Sequence, residues 1–205
     1  MKTITAIEAQ RRGRGRVNIF LDGAFAFSLE RQVVEEQSIH PGQVVSNSQV
    51  AEMMGAELFG RCFNAALRLL SYRPRSEAEI RARLSRRFDR EIIERVLLQL
   101  KAKQMVDDAA FAQFWRENRE SFSPRSKRLL KLELRQKGID PEVVDEVVEG
   151  IDDEDSAYRA AQRRGRTLER DYENFRRKLG AFLGRRGFSY GVINRTIERL
   201  WQELG

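Results

Sequence analysis

The feature that most constrains this chain is a segment written three times. LSRRFDREIIERV (84–96), LRQKGIDPEVVDEV (134–147) and LGRRGFSYGVINRT (183–196) align. In each, a leucine on an amphipathic helix precedes a basic residue, an apolar residue, a cap residue and an apolar pair that opens the next helix. Phe88, Ile139 and Phe188 lie 51 and 49 residues apart. A unit of about 50 residues accommodates three short helices with tight turns. Stacked units of this kind contact mainly their neighbours. The expected fold is therefore mainly α: tandem three-helix repeats at 57–108, 109–155 and 156–205, forming an elongated, curved body. Gly138 and Gly187 precede the cap in two units, where the lack of a Cβ permits a left-handed turn. The first unit has Arg87-Phe88 there and is one residue shorter, so its turn geometry stays open.

Helix signals run through the rest of these units. Phe63, Ala66, Leu67 and Leu70 recur at helical spacing, and Ser76 with Glu79 has the form of a capping box before Ile80 and Leu84. Asp107 or Asp108 suits a helix cap before Phe111, Phe114 and Trp115. Ser123-Pro124 and Asp140-Pro141 each place a cap before a proline at the first helical position. Ser189 opens a last helix carrying Val192, Ile193, Ile197, Leu200 and Trp201. Residues 1–56 read differently, as a small β-rich region with short helices. ITAIEAQ alternates, and VNIFLDGAFAFSL holds Asp22-Gly23 between two runs of strand formers, a strong hairpin signal. Three strands are expected, about 3–10, 16–21 and 24–28, joined first by a basic loop over 11–16. A short helix near 29–37, a turn at His40-Pro41-Gly42 and a capping box at Ser46 and Gln49 follow.

The residue inventory argues against catalysis. One cysteine, Cys62, excludes an internal disulfide framework and fits a reducing cytosol. With one histidine, His40, it also leaves no His/Cys metal set and no Cys/His nucleophile pair to expect. No phosphate-binding Gly-x-x-x-x-Gly-Lys occurs, and Arg14-Gly15-Arg16 is not a dinucleotide fingerprint. The acidic run 152–155 reads as a solvated junction favouring the start of a helix near Ser156. No apolar stretch approaches the ~18 residues of a membrane span, and MKTITAIEAQRRGRGR lacks the apolar core of a secretory signal. The reading is thus a non-enzymatic, cytoplasmic monomer that needs no cofactor and no metal.

Charge carries what functional information remains. The net charge is +7, and it is uneven: −1 over 1–60, +5 over 61–108, −4 over 109–155 and +7 over 156–205. Candidate contacts to nucleic acid or to an acidic protein face are Arg73, Arg75, Arg81, Arg86 and Arg87 in the first unit. Arg163, Arg164, Arg166, Arg176, Arg177, Arg185 and Arg186 are their counterparts in the third, joined there by Arg170. Arg177 and Lys178 adjoin core-type Leu179, so these residues do not all share one face. Arg11, Arg12, Arg14 and Arg16 decorate the hairpin loop. Tyr72, Phe122 and Tyr190 are the candidates for stacking on unpaired bases, while Phe63, Phe111, Phe175, Phe182 and Trp201 suit the core.

Several stretches together resemble the RecX family, bacterial regulators of the RecA recombinase. RSEAEIRARL (75–84), MVDD (105–108) with Phe111-Ala112, and SPR (123–125) followed by LELRQKGI (132–139) look like its ordered motifs. LGRRGFS (183–189) with Val192-Ile193 looks like its C-terminal one, and VNIFLDGAFAFSL like its β-rich extension. Ser123 stands where the family usually has Gly, Arg87-Phe88 lacks the usual turn Gly, and Asp107-Asp108 follow Met-Val rather than Gly-Leu. The resemblance implies three-helix repeats that bind the groove of the RecA–DNA filament. It also implies restraint of the filament's ATPase, strand exchange and co-protease activities, by contact with the filament and with single- or double-stranded DNA. Two other readings stay open: a stand-alone helical DNA-binding protein or transcriptional repressor, and a metal-dependent enzyme using Asp107 and Asp108.

Overall fold

The computed structural model describes residues 1–10, 15–168 and 171–204. Arg11, Arg12 and Arg14 of the expected basic loop, and Arg170, lie outside the described residues. The chain forms β1 (Lys2–Ala9), β2 (Arg16–Leu21), β3 (Ala24–Glu30), α1 (Arg31–Glu36) and β4 (Val44–Val45). Helices follow: α2 (Asn47–Leu70), α3 (Glu77–Leu84), α4 (Arg90–Ala102), α5 (Asp108–Phe122) and α6 (Lys127–Gln136). The last four are α7 (Pro141–Val148), α8 (Asp153–Gly165), α9 (Tyr172–Arg185) and α10 (Tyr190–Leu204). The protein is thus mainly helical, with tandem three-helix groups after a small antiparallel sheet. Two compact units divide it: Met1–Ser71 with Arg83–Gln99, and Tyr72–Ala82 with Leu100–Gly205.

In the first unit the hairpin forms where Asp22-Gly23 predicts it. Asp22 (φ 51°) and Gly23 (φ 84°) both take positive φ, as a two-residue hairpin turn matching strand twist requires. β2 pairs antiparallel with β3, Val17 facing Leu29 and Ile19 facing Phe27, so one face is apolar. That face buries Ile4, Ile19, Leu21 and Leu29 with Ile39 and Val45, and Val50 and Met53 of α2 pack on it. β4 adds a fourth strand beside Lys2 and Thr3, giving the order β3-β2-β1-β4. Two residues are too few to show a period, which is why alternation does not reveal it.

Ser46 caps α2: its Oγ accepts the Gln49 N–H at 3.1 Å, while the Gln49 side chain accepts the Ser46 N–H at 2.8 Å. α2 then runs unbroken through residue 56, so no turn separates the β-rich region from the helices. Arg16, expected where the loop meets the second strand, opens β2 and pairs with the buried Glu57 of α2. Glu57 also accepts the Glu30 N–H at 3.3 Å. Cys62 is fully buried, and burial pushes its thiol up to about 11, which leaves it an inert packing group.

In the second unit, α5, α6 and α7 enclose Phe111, Leu130, Leu134, Ile139, Val144 and Val148. α8, α9 and α10 enclose Ala157, Ala161, Phe175, Leu179, Leu183 and Leu200. Asp107 caps α5 through the N–H groups of Ala109 and Ala110, and Asp140 caps α7 with Pro141 at its first position. Two starts differ from expectation. α6 begins after Ser126, not at Ser123-Pro124: Ser126 Oγ accepts the Leu129 N–H, and the Ser126 N–H is fixed by Arg186 O at 3.0 Å. α8 begins at Asp153, three residues before Ser156, because Asp152 takes the Glu154 N–H as cap.

One joint occurs twice. At the start of α3, Ser76 Oγ donates to Lys137 O at 2.7 Å and the Glu77 N–H donates to Asp108 at 2.8 Å. At the start of α6, the Lys127 N–H donates to Asp153 at 2.7 Å. Each helix start is therefore completed by an aspartate from the first turn of a later helix and covered by a later Lys-Gly or Arg-Gly turn. Gly138 (φ 77°) sits against Ala78, where an added Cβ would collide with the Ala78 Cβ. At Gly187 (φ 84°) a Cβ would fall 2.6 Å from Ser126 Oγ and 2.7 Å from Leu129 Cβ. The turn at 85–89 dispenses with glycine: Arg86 and Arg87 are exposed there, and no positive φ is used. In the first joint, Glu79 receives both Arg73 nitrogens, at 2.8 and 3.0 Å, and Lys137 Nζ at 2.7 Å. Burial alone raises the Glu79 carboxyl, but these hydrogen bonds outweigh it and hold the group at about 2.

Two predictions follow from this joint. Gly138→Ala and Gly187→Ala each destabilise by about 2–4 kcal/mol, from left-handed strain plus overpacking. Gly23→Ala, with the same φ but open space around it, costs about 1 kcal/mol, and thermal melts of the three variants check the order. Glu79 lies lower in the folded than in the unfolded chain, so its contribution is present above about pH 4.5 and disappears as pH falls from there towards 2. Glu79→Gln therefore lowers stability by about 1–2 kcal/mol at neutral pH, and the gap to the parent narrows at about pH 3 in the same melts.

Candidate nucleic-acid interface

The twelve arginines singled out in the sequence do not form one site. Arg73 is locked on Glu79, and Arg81 on Glu77 at 2.5 Å one helical turn away. Arg75 is half-buried and engaged within the fold. Arg86 and Arg87 are exposed, but they belong to the first unit whereas Arg73, Arg75 and Arg81 belong to the second. Ion pairing thus removes the two best-defined members of the first cluster.

The third three-helix group keeps more of its charge available. α8 turns its small residues Ala157, Ala161 and Gly165 inward, four apart on one stripe. That aims Arg159, Arg163 and Arg164 outward, and all three are exposed. They line a groove whose opposite wall is the end of α5 with Phe122, and whose floor includes Phe182 and Arg186. Arg166 and Arg185 are exposed but do not line it. Arg159 pairs with Asp155 at 2.8 Å, whereas Arg163 and Arg164 meet no carboxylate among the described residues. The Arg186 guanidinium lies over the Phe182 ring at 4.1 Å and donates to Ser123 Oγ at 3.4 Å. Burial, then the charges of Arg125, Arg185 and Arg119, pull Arg186 below its usual value, although a guanidinium stays charged at any physiological pH.

Beside the groove, three cations share few anions. Arg119 (2.9 Å) and Arg125 both pair with Glu133, which also accepts Trp115 Nε1–H at 2.8 Å. Lys137 Nζ sits 3.9 Å above the Trp115 ring and Arg119 4.5 Å from it. These stacked cations serve packing as much as charge. A second basic patch holds Arg176 and Arg177 on α9 with Tyr190 and Asn194 on α10. Arg176 donates to Tyr190 Oη at 3.4 Å, and bonds from Asn194 and Arg176 lower the phenol. Arg177 donates to Asn174 at 2.6 Å.

Sequence reasoning overlooked Arg159, Arg119 and Arg125. Arg159 was legible as the residue one turn before Arg163 on the same helix face. Arg119 and Arg125 were not, since only α6 brings them to a common carboxylate. Phe182, expected in the core, is half-buried and lines the groove, and Phe63 is likewise half-buried, stacked on Phe59 at 6.1 Å. Of the proposed stacking residues, Phe122 (81% exposed), Tyr72 and Tyr190 are all strongly exposed. The acidic run 152–155 is engaged rather than simply solvated: Asp152 and Asp153 cap helices, Glu154 pairs with Arg195 and Asp155 with Arg159. Among the described residues no three His, Cys, Asp or Glu side chains converge as metal ligands would, and no helix is long and apolar enough to cross a membrane.

Known proteins place this architecture. The regulatory protein RecX N-terminal domain matches residues 2–46. The first, second and third three-helix domains of RecX match residues 62–100, 107–148 and 152–197. Regulatory protein RecX of Clostridioides difficile (strain 630) is 30% identical over 204 residues, covering 98% of this chain and 96% of that protein. The RecX of Halalkalibacterium halodurans is 30% identical over 207 residues, covering 96% and 77%. A crystal structure of regulatory protein RecX superposes with a TM-score of 0.65 at 27% identity, covering 97% of this chain and all of that one. That of RecX from Lactobacillus salivarius gives 0.54 at 25% identity over 71% of this chain. With all four domains matched in order and relatives aligned almost end to end, this chain belongs to the RecX family of regulatory proteins.

Proposed function

We propose that this protein is a non-enzymatic modulator of RecA, mainly an inhibitor, that acts in the cytoplasm as a monomer. It binds in the groove of the RecA–DNA filament and restrains ATPase, strand exchange and co-protease activity. The β-rich region at 1–56 and three repeats at 57–108, 109–155 and 156–205 are its working parts. The observation that carries this reading is the surplus of exposed arginine on α8 and α9, in a chain aligned end to end with RecX regulators. Arg163, Arg164, Arg176, Arg177 and Arg185 are the residues offered to filament DNA phosphates or to acidic faces of RecA. Arg86 and Arg87 are offered in the same way from the first repeat. Arg73 and Arg81 act within the fold, since each is held by a half-buried glutamate, Arg73 by Glu79 and Arg81 by Glu77. Arg186 combines both roles: its carbonyl holds Ser126 and its guanidinium faces the groove.

The test is the DNA-stimulated ATPase rate of RecA, with this protein titrated in below one copy per RecA. Inhibition at low ratios is expected. Changing Arg163, Arg164, Arg176, Arg177 and Arg185 together to Glu should raise the amount required by about tenfold or more while leaving the thermal melt unchanged. Undiminished inhibition by this variant would overturn the placement. No effect of the parent protein on RecA, with DNA binding retained, would favour the stand-alone DNA-binding reading.

A further inference from the structure

Phe122 is among the most exposed large apolar side chains of the described residues. It ends α5 with its ring 81% exposed, and it belongs to neither core of the second unit. Single exposed apolar side chains are common on protein surfaces, so what singles out Phe122 is its place in the wall of a groove lined by Arg163, Arg164 and Arg186. The backbone just after it is tied down: the Ser123 N–H donates to Arg119 O at 2.9 Å, and Ser123 Oγ accepts from Arg186 at 3.4 Å.

We infer that the groove between the end of α5 and α8 binds an unpaired nucleic-acid strand, one base stacking on Phe122 and phosphates engaging Arg163 and Arg164. Three observations converge. The flat exposed ring suits a base face, whichever base it is. Arg163 and Arg164 rise from the facing helix without a carboxylate among the described residues, so an incoming phosphate displaces no ion pair. Arg186 at the floor already feels Arg119, Arg125 and Arg185, and an anion there relieves like-charge repulsion. A duplex keeps its bases stacked and leaves Phe122 nothing to cover. An acidic peptide would satisfy the arginines yet make no use of a flat ring. The groove is not uniformly basic: Glu120 lies on the rim and Arg159 is held by Asp155. That places the phosphates nearer Arg163 and Arg164 than Arg159. The inference rests on the nucleic-acid part of the proposed function and narrows it to one strand, one groove and one platform.

Fluorescence anisotropy of the full chain with a labelled single-stranded oligonucleotide, and with its duplex, tests this in the absence of RecA. Phe122→Ala should weaken single-strand binding by about tenfold and change duplex binding by less than about twofold. Phe122→Trp should retain it. Arg163→Glu with Arg164→Glu should weaken binding and flatten the log–log salt dependence by about 1.5. All of these side chains are exposed, so folding is not at stake. Single-strand affinity unchanged in Phe122→Ala, or absent in the parent protein, overturns the inference. So does polyglutamate competing as well as an oligonucleotide of equal charge, which would assign the groove to an acidic protein. Running the RecA ATPase assay on the same samples separates the two ideas. A parent protein that ignores RecA but binds strands through Phe122 refutes only the regulator reading. One that inhibits RecA while Phe122→Ala binds normally refutes only the groove.

Discussion

A helix start exposes amide hydrogens that its own backbone cannot satisfy. In α3 and α6 the amide next to the cap serine is satisfied by an aspartate borrowed from the first turn of another helix, Asp108 for Glu77 and Asp153 for Lys127. This exchange sets much else. It requires a later turn to lie directly over the helix start, where the chain closes by Ser76 Oγ to Lys137 O in one joint and Ser126 N–H to Arg186 O in the other. Backbone that near leaves no room for a Cβ, so Gly138 and Gly187 are demanded twice over, by contact and by positive φ. The spacing of the written repeat is thus the spacing of a physical joint.

The same joint sorts the charges. Glu79 draws Arg73 and Lys137 together, and Glu133 draws Arg119 and Arg125, while Lys137 and Arg119 both stack on the Trp115 ring. Cations held this way tie one helix to another and have little left for a partner. Exposed arginine left without a carboxylate among the described residues includes Arg163 and Arg164 on α8, Arg176, Arg177 and Arg185 on α9, and Arg86 and Arg87 in the first unit.

The groove was partly legible. Arg163, Arg164 and Arg186 stood out by charge, and Phe122 as one of three candidates for stacking on bases. Nothing in their spacing places Phe122 opposite Arg163, since 41 positions separate them. Nor did charge distinguish Arg81, one turn from Glu77 in a pair a sequence can suggest, from Arg73, whose Glu79 is also claimed by the distant Lys137. The N-terminal hairpin was fully legible because Asp22-Gly23 acts through local φ preferences alone. β4, two residues long, was not, because its strand character exists only in pairing with Lys2 and Thr3.

By itself the sequence determined the helical repeats, the turn chemistry of Gly138 and Gly187, the hairpin and the absence of a familiar catalytic set. Those features rest on local preferences: caps, periodicity and backbone freedom within a few residues. Tertiary structure decided where α6 and α8 begin, which arginines are consumed by carboxylates, and which aromatic faces water. Each of those depends on partners far apart in the chain, Ser126 with Arg186, Lys137 with Glu79, Phe122 with Arg163. Packing alone brings such partners into one joint or one groove, and no local propensity encodes their distance.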